Sequence, residues 1–172
     1  FRLPWPCVDP VEEIFGKWYV IATVEVAEDV KNDTLGFLVW WPVEVLSVEP
    51  KSTEYIHNKQ GEPNMEFVVE YRTFSMQELD VTLTVTVYDE LSFFIGSDYL
   101  ETTVGLGDYV YYDYMACEWP PESAYTWETT IPLPSNAVVG KATVFANAFD
   151  KFPWDGGTPY CPEVKNTIDF YI

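Results

Sequence analysis

The sequence predicts an all-β protein, a two-sheet antiparallel sandwich of Greek-key or jelly-roll type. Three observations lead there. Aromatic residues, 12 Tyr, 11 Phe and 7 Trp, make up 17% of the chain, and these types favour half-buried pleated surfaces over helices. Extended, apolar segments recur at short intervals between clusters of Pro, Gly, Asp and Asn, and nowhere does a period of 3.6 persist for three turns. Residues 81–87 (VTLTVTV) alternate with period 2, so Val81, Leu83, Val85 and Val87 are expected to face a core while Thr82, Thr84 and Thr86 face water. A chain of 172 residues with 48% hydrophobic types suffices for one such core.

In chain order, residues 1–10 hold Pro4, Pro6 and Pro10, which block helix and favour an extended arm. Residues 1–13 are assigned to this arm and 14–172 to a single sandwich domain. One helical turn is conceivable at residues 10–14, with Asp9 as its cap and Pro10 at its first position. Residues 15–27 (FGKWYVIATVEVA) read as a long strand and 28–34 as an acidic turn. Residues 36–48 form a second strand region, interrupted by Pro42, which suggests an edge or a bulge. Strands are then expected at 65–74 and 81–87 and, after a turn at 88–90, at 91–95. Residues 99–104 and 108–117 flank Gly105 and Gly107, and strands at 125–131, 137–149 and 167–172 complete the set.

Nine Lys plus Arg against 28 Asp plus Glu leave a net charge of −19, which repels nucleic-acid phosphates and anionic membrane surfaces. The longest apolar stretch, 36–48, is too short for a bilayer and contains Pro42 and Glu44. Neither nucleic acid nor membrane insertion is therefore expected. The same charge opposes close packing of copies unless cations neutralise it, and hard divalent ions prefer oxygen ligands, so calcium is the expected cofactor. Taken singly, each carboxylate reads more readily as a solubilising surface group than as a ligand. The candidate metal ligands are those at predicted turns: Glu28, Asp29, Asp33, Asp89, Glu90, Asp98, Glu101, Asp150 and Asp155. None lies in an EF-hand pattern, so any site is assembled from separated segments.

Catalytic motifs are absent. The single histidine, His57, sits in a polar stretch with no nucleophile motif beside it, and HExxH, GxSxG, P-loop and GxGxxG patterns do not occur. The chain is expected not to be an enzyme. A pair of carboxylates across a cleft, as a glycosidase needs, stays open as a lesser alternative. The cysteines, Cys7, Cys117 and Cys161, have no CxxC spacing and allow one disulfide plus one leftover thiol. Cys117 with Cys161 is the favoured pairing, since both belong to the sandwich and Cys7 to the arm. Asn32-Asp33-Thr34 is a glycosylation sequon in a predicted turn. The chain begins with Phe1, as it would after removal of a signal peptide, and a secreted, extracellular or cell-surface location is expected.

Residues 138–163 (VVGKATVFANAFDKFPWDGGTPYCPE) combine a GxATVxAN strand, Gly140 to Asn147, with a loop built on Pro153, Gly156, Gly157 and Pro159-Tyr160-Cys161-Pro162-Glu163. This block resembles the closing segment of β-sandwich domains in surface proteins of hyperthermophilic archaea. Among those, a single acidic domain of this size is similar to the subunits of extracellular filaments and tubules, notably the calcium-dependent cannulae. The resemblance implies a homopolymer in which a segment of one subunit completes the sandwich of the next. The arm, with its apolar Phe1, Leu3, Trp5 and Val8, is one candidate connector; its prolines suit a central strand poorly, so the strand from Phe15 and the C-terminal 167–172 are others. Copies of the same chain and surface glycans are the expected partners. The alternative function is a secreted, calcium-containing carbohydrate-binding module.

Overall fold

A computed structural model describes residues 16–26, 29–56, 64–73, 75, 77–105 and 123–171. The chain forms two compact units, Phe1–Trp40 and Trp41–Ile172; the boundary expected after residue 13 lies outside the described residues. The arm, the possible turn at 10–14, His57 and the strand expected at 108–117 lie outside the described residues.

The first unit contains a long hairpin. Strand β1 (Gly16–Val26) and strand β2 (Asp29–Val39) pair antiparallel from Gly16↔Val39 to Val26↔Asp29 without a break. The expected acidic turn at 28–34 is thus mostly strand. Its polar residues read as a turn by composition, but each faces a partner on the Val- and Ile-rich β1, and that ladder holds it extended. Pro42, which has no N–H to give a ladder, falls between this hairpin and the following strand.

The second unit holds strands β3 (Val43–Pro50), β4 (Glu54–Ile56), β5 (Asn64–Thr73), β6 (Leu79–Tyr88), β7 (Phe94–Val104), β8 (Ser123–Pro132), β9 (Gly140–Phe149) and β10 (Val164–Tyr171). They form a five-stranded sheet in the order β4-β10-β9-β6-β7 and a three-stranded sheet β3-β5-β8. Among the described strands of this unit all pairings are antiparallel except β4 with β10, which run parallel, a departure from the purely antiparallel expectation. Alternate residues of both sheets share one core. Val43, Met65, Phe67, Val69 and Ile131 come from the smaller sheet, and Val81, Leu83, Val85, Val144 and Phe170 from the larger. Each such side chain contributes about 1.5–3 kcal/mol by leaving water. The alanines of β9, Ala142, Ala146 and Ala148, are wholly buried within the same core.

Two expectations change here. The segments expected at 91–95 and 99–104 are one strand, β7, because Gly96-Ser97-Asp98, a turn by composition, pairs with Val87, Thr86 and Val85 of β6. The reversal is taken earlier, at residues 89–93, where Ser92 has a positive φ of 64°. Thr82 does not face water but is only 3% exposed, since it lies between Glu101 and Phe149 on neighbouring strands, beside Asp150 and Lys151. Thr84 and Thr86 are half-buried. Among the described residues the only helical element is a short 3-10 turn, Pro153–Asp155, closed by Gly156 in the left-handed region at φ 76°. No described helix is long and apolar enough to cross a membrane.

Candidate assembly surface and acidic sites

The β1–β2 hairpin carries apolar side chains on both faces. Directly opposed residues of an antiparallel pair share a face, so Val20 and Leu35 lie on one face with Val24, while Tyr19, Ile21 and Val30 lie on the other. All six are exposed, Ile21 at 63% and Val24 at 59%. Asn32, opposite Thr23, is exposed on the Ile21 face near the turn, and so is open to a glycan there. The four arm residues, Phe1, Leu3, Trp5 and Val8, lie outside the described residues.

The expected metal ligands fall in scattered places. Glu28 lies outside the described residues, as does the side chain of Asp29, whose backbone pairs with Val26. Asp33 is exposed on β2 and accepts the Thr34 N–H at 3.0 Å. Asp89, 5% exposed, organises the β6–β7 reversal. Its Oδ1 accepts the N–H groups of Leu91 at 3.0 Å and Phe93 at 2.9 Å, and its Oδ2 that of Val138 at 3.2 Å. Glu90 accepts the Lys141 N–H at 3.1 Å and lies over Gly140, where a Cβ would stand 1.5 Å from its Oε2. Asp98 takes the hydroxyl of Thr129, from the opposite sheet. Asp155 is exposed in the 3-10 turn.

Only Glu101 and Asp150 come together, in a cleft of about 350 Å³ that also contains Asp80, Thr103 and Lys151. Asp80 escapes a search for acidic turns because it lies within β6; its Oδ1 accepts the Thr103 hydroxyl at 3.3 Å. Asp150 Oδ1 accepts the Thr158 N–H at 2.6 Å. Among the described residues, no three His, Cys, Asp or Glu side chains converge closely enough to hold one ion.

Cys161 is a free thiol, buried in the core, and its Sγ accepts the Val45 N–H at 3.3 Å. The expected bridge to Cys117 is not made at Cys161; Cys117 itself lies outside the described residues. Burial pushes the Cys161 thiol above its ordinary range, and burial likewise raises Tyr55, Tyr71 and Tyr160. Such groups stay protonated in the fold after the unfolded chain begins to ionise, so the unfolded state binds fewer protons and stability falls as pH rises. The fall is expected to begin at about pH 8.5 for the thiol and to steepen at about pH 10 for the phenols. Urea unfolding at intervals between pH 7 and 11 measures it, and a flat midpoint across that range would contradict it. Alkylation of Cys161 by iodoacetamide at pH 8 is expected to be at least about 100-fold slower in the folded protein than in urea.

No protein-family model and no curated protein matches the chain. Among solved structures, the C-terminal domain of Wzt is similar over 77% of this chain and 75% of its own, with 7% identity and a TM-score of 0.49. A CARDB domain from Pyrococcus furiosus, in complex with di-metal ions, is similar over 78% of this chain and 98% of its own, with 9% identity and a TM-score of 0.43. A β-glucuronidase of glycoside hydrolase family 2 is similar over 75% of this chain but only 13% of its own, with 9% identity and a TM-score of 0.46. Function does not follow from likeness at this level, since unrelated activities share one architecture.

Proposed function

We propose that this chain is a secreted, non-catalytic structural subunit of an extracellular filament or tubule, a homopolymer joined by strand addition between copies and bridged by calcium. The observation that supports it is the β1–β2 hairpin, with exposed apolar side chains on both faces. A two-stranded ribbon is marginal in water by itself, and contiguous exposed apolar surface marks an interaction site. A second copy supplies the cover. The hairpin is a sheet of two strands among the described residues, and the second unit offers the long edge strands β7 and β8 among its described strands. A contact between two different surfaces, repeated head to tail, grows a fibre or tube unless its rotation closes a ring. Residues 1–13 precede β1 in sequence and, in this reading, belong to the same connector.

Calcium enters as a bridge between chains. With no converging set of three ligands among the described residues of one chain, an ion needing six to eight oxygens draws them from more than one subunit. Bridging also offsets the repulsion between copies that each carry −19. Electron microscopy of the purified protein with millimolar calcium is expected to show polymers that disperse in excess chelator, whereas sodium at equal ionic strength does not restore them. Monodisperse particles under both conditions would overturn the reading.

A further inference from the structure

The outer face of the five-stranded sheet carries a groove of about 440 Å³, within the range of small-molecule sites. Cross-strand register builds its floor. Thr84 of β6 stands between Tyr99 and Asn147, and Thr86 between Ser97 and Phe145, all on the face turned away from the core. The ends are aromatic. At one, Tyr88 meets Phe94 and Phe145 edge-on at centroid distances of 6.1 and 5.8 Å. At the other, Phe152 packs edge-on to Tyr99 at 4.7 Å and stacks on Trp154 at 4.5 Å.

This surface is neither core nor plain solvated face. Trp154 is 72% exposed, Phe94 60% and Tyr99 53%, a large apolar load for an open sheet. Between the rings, the hydroxyls of Thr84, Thr86 and Ser97 make no hydrogen bond with a described residue. Asn147 donates to Glu163 at 3.2 Å, which leaves the other carboxylate oxygen and the amide oxygen to accept. Flat rings beside a row of hydroxyl, amide and carboxylate groups match one ligand chemistry above others. A pyranose presents an apolar C–H face to stack on a ring and a rim of hydroxyls that both donate and accept.

We infer that this groove is a binding site for a neutral oligosaccharide, with Tyr99 and Trp154 as stacking platforms and Thr84, Thr86, Asn147 and Glu163 reading hydroxyls. Charge selects the class. Glu163 lines the groove with no Lys or Arg among its described lining residues, and the chain carries −19, so uronic or sulfated glycans are repelled. The same field disfavours a second copy of this acidic chain as the occupant. The inference is independent of the hairpin and of any polymer it forms.

The test is calorimetric titration of the full chain, at a concentration where sedimentation shows monomer, with cellohexaose, mannohexaose and xylohexaose, and with hexagalacturonate as the anionic counterpart. At least one neutral sugar is expected to bind with a Kd between about 10 µM and 1 mM, as suits a shallow groove. Tyr99→Ala and Trp154→Ala are each expected to weaken it at least about 10-fold, with melting temperatures unchanged because both side chains are exposed. Hexagalacturonate is expected to bind at least about 10-fold more weakly than the neutral sugar. Absence of binding by all three neutral sugars, equal binding by the two variants, or a preference for hexagalacturonate would each overturn the assignment. Loss of self-association in both variants would also overturn it, by showing that a second copy covers this face.

Discussion

Val24→Lys combined with Leu35→Lys is expected to abolish polymer formation while leaving the melting temperature of the monomer within about 1 °C. Both side chains are on one face of the hairpin and more than half exposed, so the isolated chain loses little when they become polar. In an assembly joined through that face they are buried, and each replacement forfeits about 2 kcal/mol of apolar burial and leaves a lysine to be desolvated. Together these weaken each contact by about 1000-fold or more. The substitutions also reduce the chain's net negative charge, so the loss cannot be ascribed to added repulsion between copies. Sedimentation and negative-stain microscopy in calcium read the outcome. Polymers of unchanged diameter at unchanged concentration would remove this face of the hairpin from the contact, and the pair Ile21→Lys with Val30→Lys would then test the other.

Asp89→Ala is expected to be the most damaging single substitution outside the apolar core, at about 2–4 kcal/mol. Its two carboxylate oxygens accept three backbone N–H groups, from Leu91, Phe93 and Val138. The first two close the β6–β7 reversal, and the third ties that reversal to the chain entering β9. Alanine leaves all three donors without their acceptor in a pocket where the carboxylate is 5% exposed. For a domain of this size the loss corresponds to roughly 5–15 °C in Tm. Asp89→Asn is expected to cost less, since Oδ1 still serves Leu91 and Phe93 while the amide nitrogen meets the Val138 N–H donor to donor. Thermal and urea unfolding of both variants check the order, and equal stability of Asp89→Ala and the unaltered chain would show that the turn holds without its acceptor.

Asp89 also shows where reading for metal ligands misleads. A carboxylate at a turn is a ligand candidate by type and position, but whether its oxygens are available depends on which amide groups the fold brings to it. Asp89 and Glu90 give theirs to backbone N–H groups of β6–β7 and β9, and Asp98 to a threonine of the opposite sheet. Leu91 and Phe93 are local partners of Asp89, but Val138, Lys141 and Thr129 are 49, 51 and 31 residues from the carboxylates they meet, so no local pattern announces those three. Asp80 is the converse case. It lies in a strand and looks like an ordinary solvated residue, yet the register of β6 against β7 and the course of the chain after β9 set it beside Glu101 and Asp150.

What the amino-acid sequence determined alone was whatever depends on neighbours along the chain. The all-β character follows from aromatic and β-branched content. The inward set Val81, Leu83, Val85 and Val87 follows from period-2 alternation, because successive side chains of a strand point to opposite faces. The strand at 125–131 was legible for the same local reasons, whereas the turn expected at 88–90 lies at 89–93, because Tyr88 still pairs with Phe94. Tertiary structure decided what depends on a partner strand. Residues 29–34 and 96–98 are polar and turn-like in composition, but they extend because β1 and β6 offer continuous ladders to pair with. The short strand β4 exists only because β10 runs beside it. The aromatic groove arises the same way. Tyr99, Phe145 and Trp154 are indistinguishable from core residues in sequence; Tyr99 and Phe145 lie on the outer face because of which face of the five-stranded sheet the smaller sheet covers, a choice made by the packing of both sheets together, and Trp154 joins them from the 3-10 turn after β9.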